Sequence, residues 1–133
     1  MMFNFLKKKK NDPSYDALVA AFCLVSYADG HLHTAELSRF IRLQVRENPG
    51  LITDEDQLMR DIITFGKKLN DDFARGKATA LETIAQARGD NHMTQKIMKV
   101  AQIAVISDNR ITIAEESVVG DIARALGVPF SVE

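Results

Sequence analysis

The chain has 133 residues, 46% hydrophobic and 26% charged, with a formal net charge of −1. That profile suits one globular domain and excludes wholesale disorder and a membrane-embedded protein. Setting aside the four charges of Lys7–Lys10 leaves −5 on the remainder, which also excludes a broadly basic nucleic-acid-binding surface.

The opening residues Met1–Tyr15 lack the apolar run and small-residue cleavage site of a secretory signal, so a cytoplasmic location is expected. Residues 1–12 are read as a flexible basic tail and residues 13–133 as a single helical domain. Phe3, Phe5 and Leu6 followed by Lys7, Lys8, Lys9 and Lys10 would support only weak contact with the inner face of an anionic membrane, at roughly 1 kcal/mol per basic group. Apolar stretches at Ala17–Ala28 and Val100–Ser107 end well short of the roughly 20 residues a bilayer span requires.

Asp12-Pro13 reads as a helix start, and the first helix is predicted over Pro13–Ala28. Ala17, Ala20, Ala21, Leu24 and Ala28 form its inner face, while Leu18, Val19, Phe22 and Val25 make it apolar nearly all round. Such a helix belongs in the middle of a bundle. Cys23 lies within it as the sole cysteine, expected to serve as a small core group rather than a nucleophile. The second helix is predicted over Thr34–Glu47, with Leu37, Phe40, Ile41 and Val45 inward and Asn48-Pro49-Gly50 ending it. Thr53 is a candidate N-cap for a third, carrying a stripe of Leu58, Ile62, Phe65 and Leu69.

The segment Asp71–Arg88 has helical character around Ala78, Leu81, Ile84 and Ala85, weakened at its start by Gly76 and ended by Gly89-Asp90-Asn91. A fifth helix is predicted over Met93–Ser107 and a sixth over Ile113–Leu126, where Gly127 and Pro129 are stop signals. No alternating pattern suggests a sheet. The expected fold is therefore all-α: a compact bundle of about six or seven helices, with helices one and five at its centre.

Aligning the chain with itself shows an internal repeat. Asp29-Gly30-His31-Leu32-His33-Thr34-Ala35-Glu36 matches Asp108-Asn109-Arg110-Ile111-Thr112-Ile113-Ala114-Glu115, each copy following an apolar helix and preceding an amphipathic one. Gly and Asn are the residues that most readily turn the chain through the left-handed region. The pattern also matches the second half of a calcium-binding EF-hand loop. Its first half does not: the first and third ligand positions fall on Val25 and Tyr27 in one copy and on Ala104 and Ile106 in the other, none of which carries a carboxylate. Two such turns side by side could instead pool Asp29, Glu36, Asp108 and Glu115 around one hard cation, calcium or magnesium.

On these residues the chain resembles the TerB-like (tellurite-resistance protein B) family, whose members are all-helical with one A-D-G-x-I-x-x-x-E segment in each half. Ala28-Asp29-Gly30, Leu32 and Glu36 carry the first, and Ser107-Asp108, Ile111, Glu115 and Leu126-Gly127 the second. Asn109 stands where Gly is usual, and His33 takes a capping position. The resemblance covers the chain from about Tyr15 onward. It implies an all-helical, non-enzymatic bacterial stress-response or tellurite-resistance domain with clustered acidic residues proposed to bind metal; the repeat itself is read as a pseudo-twofold bundle, whose bound ion would organise an acidic surface and make the chain an adaptor for a protein partner.

A bland alternative accounts for the same residues: Thr112-Ile113-Ala114-Glu115 is a capping box, and Asp29 and Asp108 can accept bonds from turn amides. The acidic turns are then structural parts of a metal-independent interaction module, peripheral at the membrane if the tail contacts lipid. His31 and His33 have no counterparts in the second copy and read as solvated loop residues, as does His92 at the surface. No phosphate-binding Gly-rich loop, activated nucleophile or His-Glu-x-x-His sequence is present, so no catalytic residue is assigned.

Overall fold

The computed structural model describes residues 13–28, 34–48, 50–106 and 113–129. Six helices follow in chain order: α1 (Pro13–Ser26), α2 (Thr34–Glu47), α3 (Glu55–Asp71), α4 (Phe73–Ala85), α5 (Asn91–Ile106) and α6 (Ile113–Leu126). No strand occurs among the described residues, and the fold is an all-α bundle. None of these helices is long and apolar enough to cross a membrane.

Caps account for most of the differences from the predicted boundaries. The N-cap of α3 is Asp54 rather than Thr53, because the Asp54 carboxylate accepts a hydrogen bond from the Gln57 amide at 3.1 Å. Asp72 separates α3 from α4. Its N–H donates to the Lys68 carbonyl at 3.1 Å while its carboxylate accepts from the Arg75 amide at 3.2 Å, closing one helix and opening the next. The Asp90 carboxylate accepts from the Met93 amide at 3.1 Å, which starts α5 two residues before the predicted Met93. α6 ends as predicted: Gly127 at φ 75° donates to the Arg124 carbonyl, and Val128 reaches back to Ala123, a Schellman arrangement that satisfies two terminal carbonyls.

Ala17 to Val25 are each 0 or 1% exposed, so α1 is enclosed on every side. It packs on α3, α4, α5 and α6, and Phe22 stacks on Phe40 of α2 with ring centroids 3.8 Å apart. Alanines at 17, 20 and 21 let neighbours approach closely while Leu18, Phe22 and Leu24 fill the spaces between them. The other helix expected at the centre, α5, packs on α1 and α6. Among its described side chains α5 buries one face, through Met93, Thr94, Ile97, Val100 and Ala101, and exposes Asn91, His92, Gln95, Lys99 and Gln102.

The stripe predicted for α3 is buried as expected, and Asp61 and Gly66 join it. In α2 the inner face comprises Leu37, Phe40 and Ile41 but continues through Gln44, 2% exposed, while Val45 is half-buried. In α4 the buried face is Gly76, Ala80, Thr83 and Ile84; Ala78 is exposed, and Leu81 and Ala85 are half-buried. Close approach to α3 selects this face, since a Cβ on Gly76 would stand 2.7 Å from Leu69 Cδ2 and 3.2 Å from Leu69 Cα. The glycine that weakens the helix start is thus what lets it pack.

The internal repeat extends to helix length. α2 and α6 each have 14 residues, and Thr34 to Ile113, Glu47 to Leu126 and Asp29 to Asp108 are all separated by 79 positions.

Candidate functional site

The four acidic residues singled out by the repeat are unequally visible. Glu115 lies in the first turn of α6 and is 2% exposed, a carboxylate taken out of solvent. Glu36 occupies the matching place in α2, but its side chain lies outside the described residues, as do Asp29 and Asp108. The same holds for His31, His33 and the basic tail with Lys7–Lys10, whereas His92 is exposed. The expected approach of the two Asp turns therefore falls outside the described part of the chain. Among the described residues no group of three or more His, Cys, Asp or Glu is placed to hold a metal ion.

The end of α1 is held against α3 by a close contact. Tyr27, two residues before Asp29, lies over Gly66 of α3 so closely that a Cβ there would stand 2.3 Å from the Tyr27 hydroxyl oxygen and 2.4 Å from Cζ. Burial raises the Tyr27 phenol above its ordinary pKa, with the Cys23 thiol adding to the effect. Sequence reasoning passed over Gly66. Its signal is a glycine inside an amphipathic helix, where alanine is intrinsically favoured by about 1 kcal/mol and a packing reason is required. Gly66→Ala is accordingly expected to cost about 1–3 kcal/mol through overpacking. In a Tyr27→Ala background the sign should reverse, with alanine gaining up to about 1 kcal/mol. Urea unfolding of the four proteins measures this; costs that simply add would show that the ring is not the obstacle.

A second buried polar group ties α1 to α3. Tyr15 donates its hydroxyl to Asp61 Oδ2 at 2.5 Å, and Gln57 Nε2 donates to Asp61 Oδ1 at 2.8 Å. Asp61 is 4% exposed and Tyr15 8%. Burial, then the bond to Asp61, pushes the Tyr15 phenol well above its ordinary range. Asp61 was legible in principle, since it falls at helical spacing from Leu58 and Phe65. Nearby, Cys23 is enclosed and its thiol donates to the Ile62 carbonyl at 3.6 Å. Burial raises the thiol pKa strongly, keeping it protonated and non-nucleophilic near neutral pH.

Polar side chains also line a cavity of ≈ 340 Å³ between the end of α2 and the middle of α5. Asn48 Nδ2 donates to Gln44 Oε1 at 2.8 Å, and Lys96 Nζ donates to Asn48 Oδ1. Lys99 Nζ lies 3.4 Å from Glu47 Oε1, with both side chains partly exposed. Val100 completes the lining. The lysines also suit the carbonyl end of α2, where positive charge is favourable.

No protein-family model, curated protein or solved structure matches the chain.

Proposed function

We propose that this chain is a non-enzymatic, TerB-like stress-response domain of the tellurite-resistance kind. In this reading it binds one divalent cation, calcium or magnesium, through Asp29, Glu36, Asp108 and Glu115, and works in the cytoplasm as an adaptor for a protein partner. The observation that carries the reading is the burial of Glu115, because a carboxylate removed from water requires hydrogen bonds, a counter-charge or a metal. The common register of α2 and α6 supports it, since it gives Glu36 and Glu115 the same place in their helices.

One observation favours the metal-independent alternative. α6 begins at Ile113, so Glu115 is the third residue of the helix, the place that the glutamate of a capping box takes. In that reading the acidic turns are structural parts of an interaction module.

Thermal unfolding of metal-stripped protein across titrations of calcium, magnesium and zinc separates the two. The cation reading expects a saturable rise with calcium or magnesium, worth about 2.7 kcal/mol at a hundredfold excess over Kd. The rise should vanish in Asp29→Asn with Asp108→Asn. A flat response to all three ions would leave the metal-independent module as the function.

A further inference from the structure

We infer that the pocket between α2 and α5 is a binding site for a small molecule bearing a single carboxylate. The internal repeat supplies a control for how this part of the fold packs when nothing is bound. Seventy-nine positions relate Gln44 to Ala123, Lys96 to Ala17 and Lys99 to Ala20. In the other half of the molecule these three equivalents are alanines, each 0 or 1% exposed, on helices α6 and α1 that pack against each other. The fold therefore closes this junction with small apolar residues in one half and opens it into a polar cavity in the other. Architecture alone requires neither the buried amides nor the lysines.

The cost of the substitution points the same way. Gln44 continues the apolar stripe of Leu37, Phe40 and Ile41, yet it is an amide at 2% exposure, and Asn48 follows one turn later at 7%. Burying amides is unfavourable unless their hydrogen-bonding groups are used. Here each makes a bond that fixes its orientation: Lys96 holds Asn48, and Asn48 holds Gln44 by its oxygen. The nitrogen of Gln44 remains as a donor on a residue lining the cavity, and the Lys96 ammonium has further protons beyond the one given to Asn48. Preoriented donors on helices are what a recognition site needs.

Charge and size select the ligand. Lys96 and Lys99 against Glu47 leave one net positive charge among the lining residues, and the C-terminus of α2 subtracts roughly half a charge. A single negative charge comes nearest to balancing this; two would leave a larger excess facing the helix end. The volume of ≈ 340 Å³ lies at the small end of the roughly 300–1,000 Å³ typical of small-molecule sites.

The test is amide NMR of the ¹⁵N-labelled full chain titrated with sodium acetate and, separately, with sodium phosphate, at ionic strength held constant with chloride. Acetate should give saturable shifts confined to the amides of 44–48 and 96–100, and phosphate weaker ones. Lys96→Gln keeps a donor for Asn48 but loses the charge, and should weaken acetate at least tenfold. Gln44→Leu restores an apolar stripe like that of the other half; it should abolish the shifts while leaving the urea midpoint unchanged or higher. The inference is overturned by an absence of saturable shifts at those amides, by acetate binding that survives Lys96→Gln, by tighter binding of phosphate, or by a loss of stability in Gln44→Leu, which would mean that the amides serve the fold.

Discussion

Phe22→Ala is expected to lower the unfolding free energy by about 3–5 kcal/mol, the range for removing a buried aromatic ring when its surroundings relax only partly. Phe22 is 1% exposed, stacks on Phe40 of α2 at 3.8 Å and 15°, and sits on α1, which also packs on α3, α4, α5 and α6. A domain of this size is stable by about 5–15 kcal/mol in total, so one truncation removes a large share. Met59→Ala, on the exposed side of α3 at 37% exposure, should cost under about 1 kcal/mol and serves as the comparison. Urea denaturation followed by circular dichroism gives both values, with an unchanged m-value needed to read them as stability. A Phe22→Ala cost as small as that of Met59→Ala would mean that α1 is not the centre of the fold.

Removing the Tyr15 hydroxyl should cost about 1.5–3 kcal/mol at neutral pH, because Tyr15→Phe takes a donor from a carboxylate that the fold has enclosed. Asp61 keeps its bond from Gln57 but loses the 2.5 Å bond to Oδ2. Removing both partners, in Tyr15→Phe with Asp61→Leu, should cost less than the sum of the single changes, since no polar group is then left stranded. The pH dependence gives a second handle. The folded state raises the Tyr15 pKa above its unfolded value near 10, so the group's contribution is complete below about pH 10 and is lost as the pH rises toward the folded value. The gap between wild type and Tyr15→Phe should therefore narrow above pH 10, by up to about 1.4 kcal/mol per pH unit. Cys23, also raised, is present in both proteins and cancels in the difference. A gap independent of pH between 9 and 11 would show that the phenol titrates alike in folded and unfolded chains.

Helix count, order and the central position of α1 were legible because they rest on local signals: apolar spacing, Asn-Pro-Gly and Gly-Val-Pro stops, and a segment from Ala17 to Val25 with no polar face. Boundary errors came from choosing among adjacent cap residues. Thr53 and Asp54 are both good N-caps, and only the chain path into α3 selects Asp54. Which face of α4 turns inward was left to packing: close approach to α3 and α1 buries the side carrying Gly76, Ala80 and Ile84.

The sites divide in the same way. Glu115 stood out by repetition along the chain. Gln44, Asn48, Asp61 and Gly66 did not, because polar residues and glycine on a helix are ordinarily assigned to its solvent side or treated as local weaknesses. By itself, the sequence determined that the chain is all-helical and that an Asp-to-Glu segment is repeated, each copy leading into a helix; these follow from backbone preference and spacing within short segments. Only the tertiary structure decided that Tyr15 and Asp61 meet, that Gly66 yields its place to Tyr27, and that one α–α junction closes on alanines while its counterpart opens on lysines and amides. Those outcomes depend on which neighbours share a surface, and no segment carries that information in isolation.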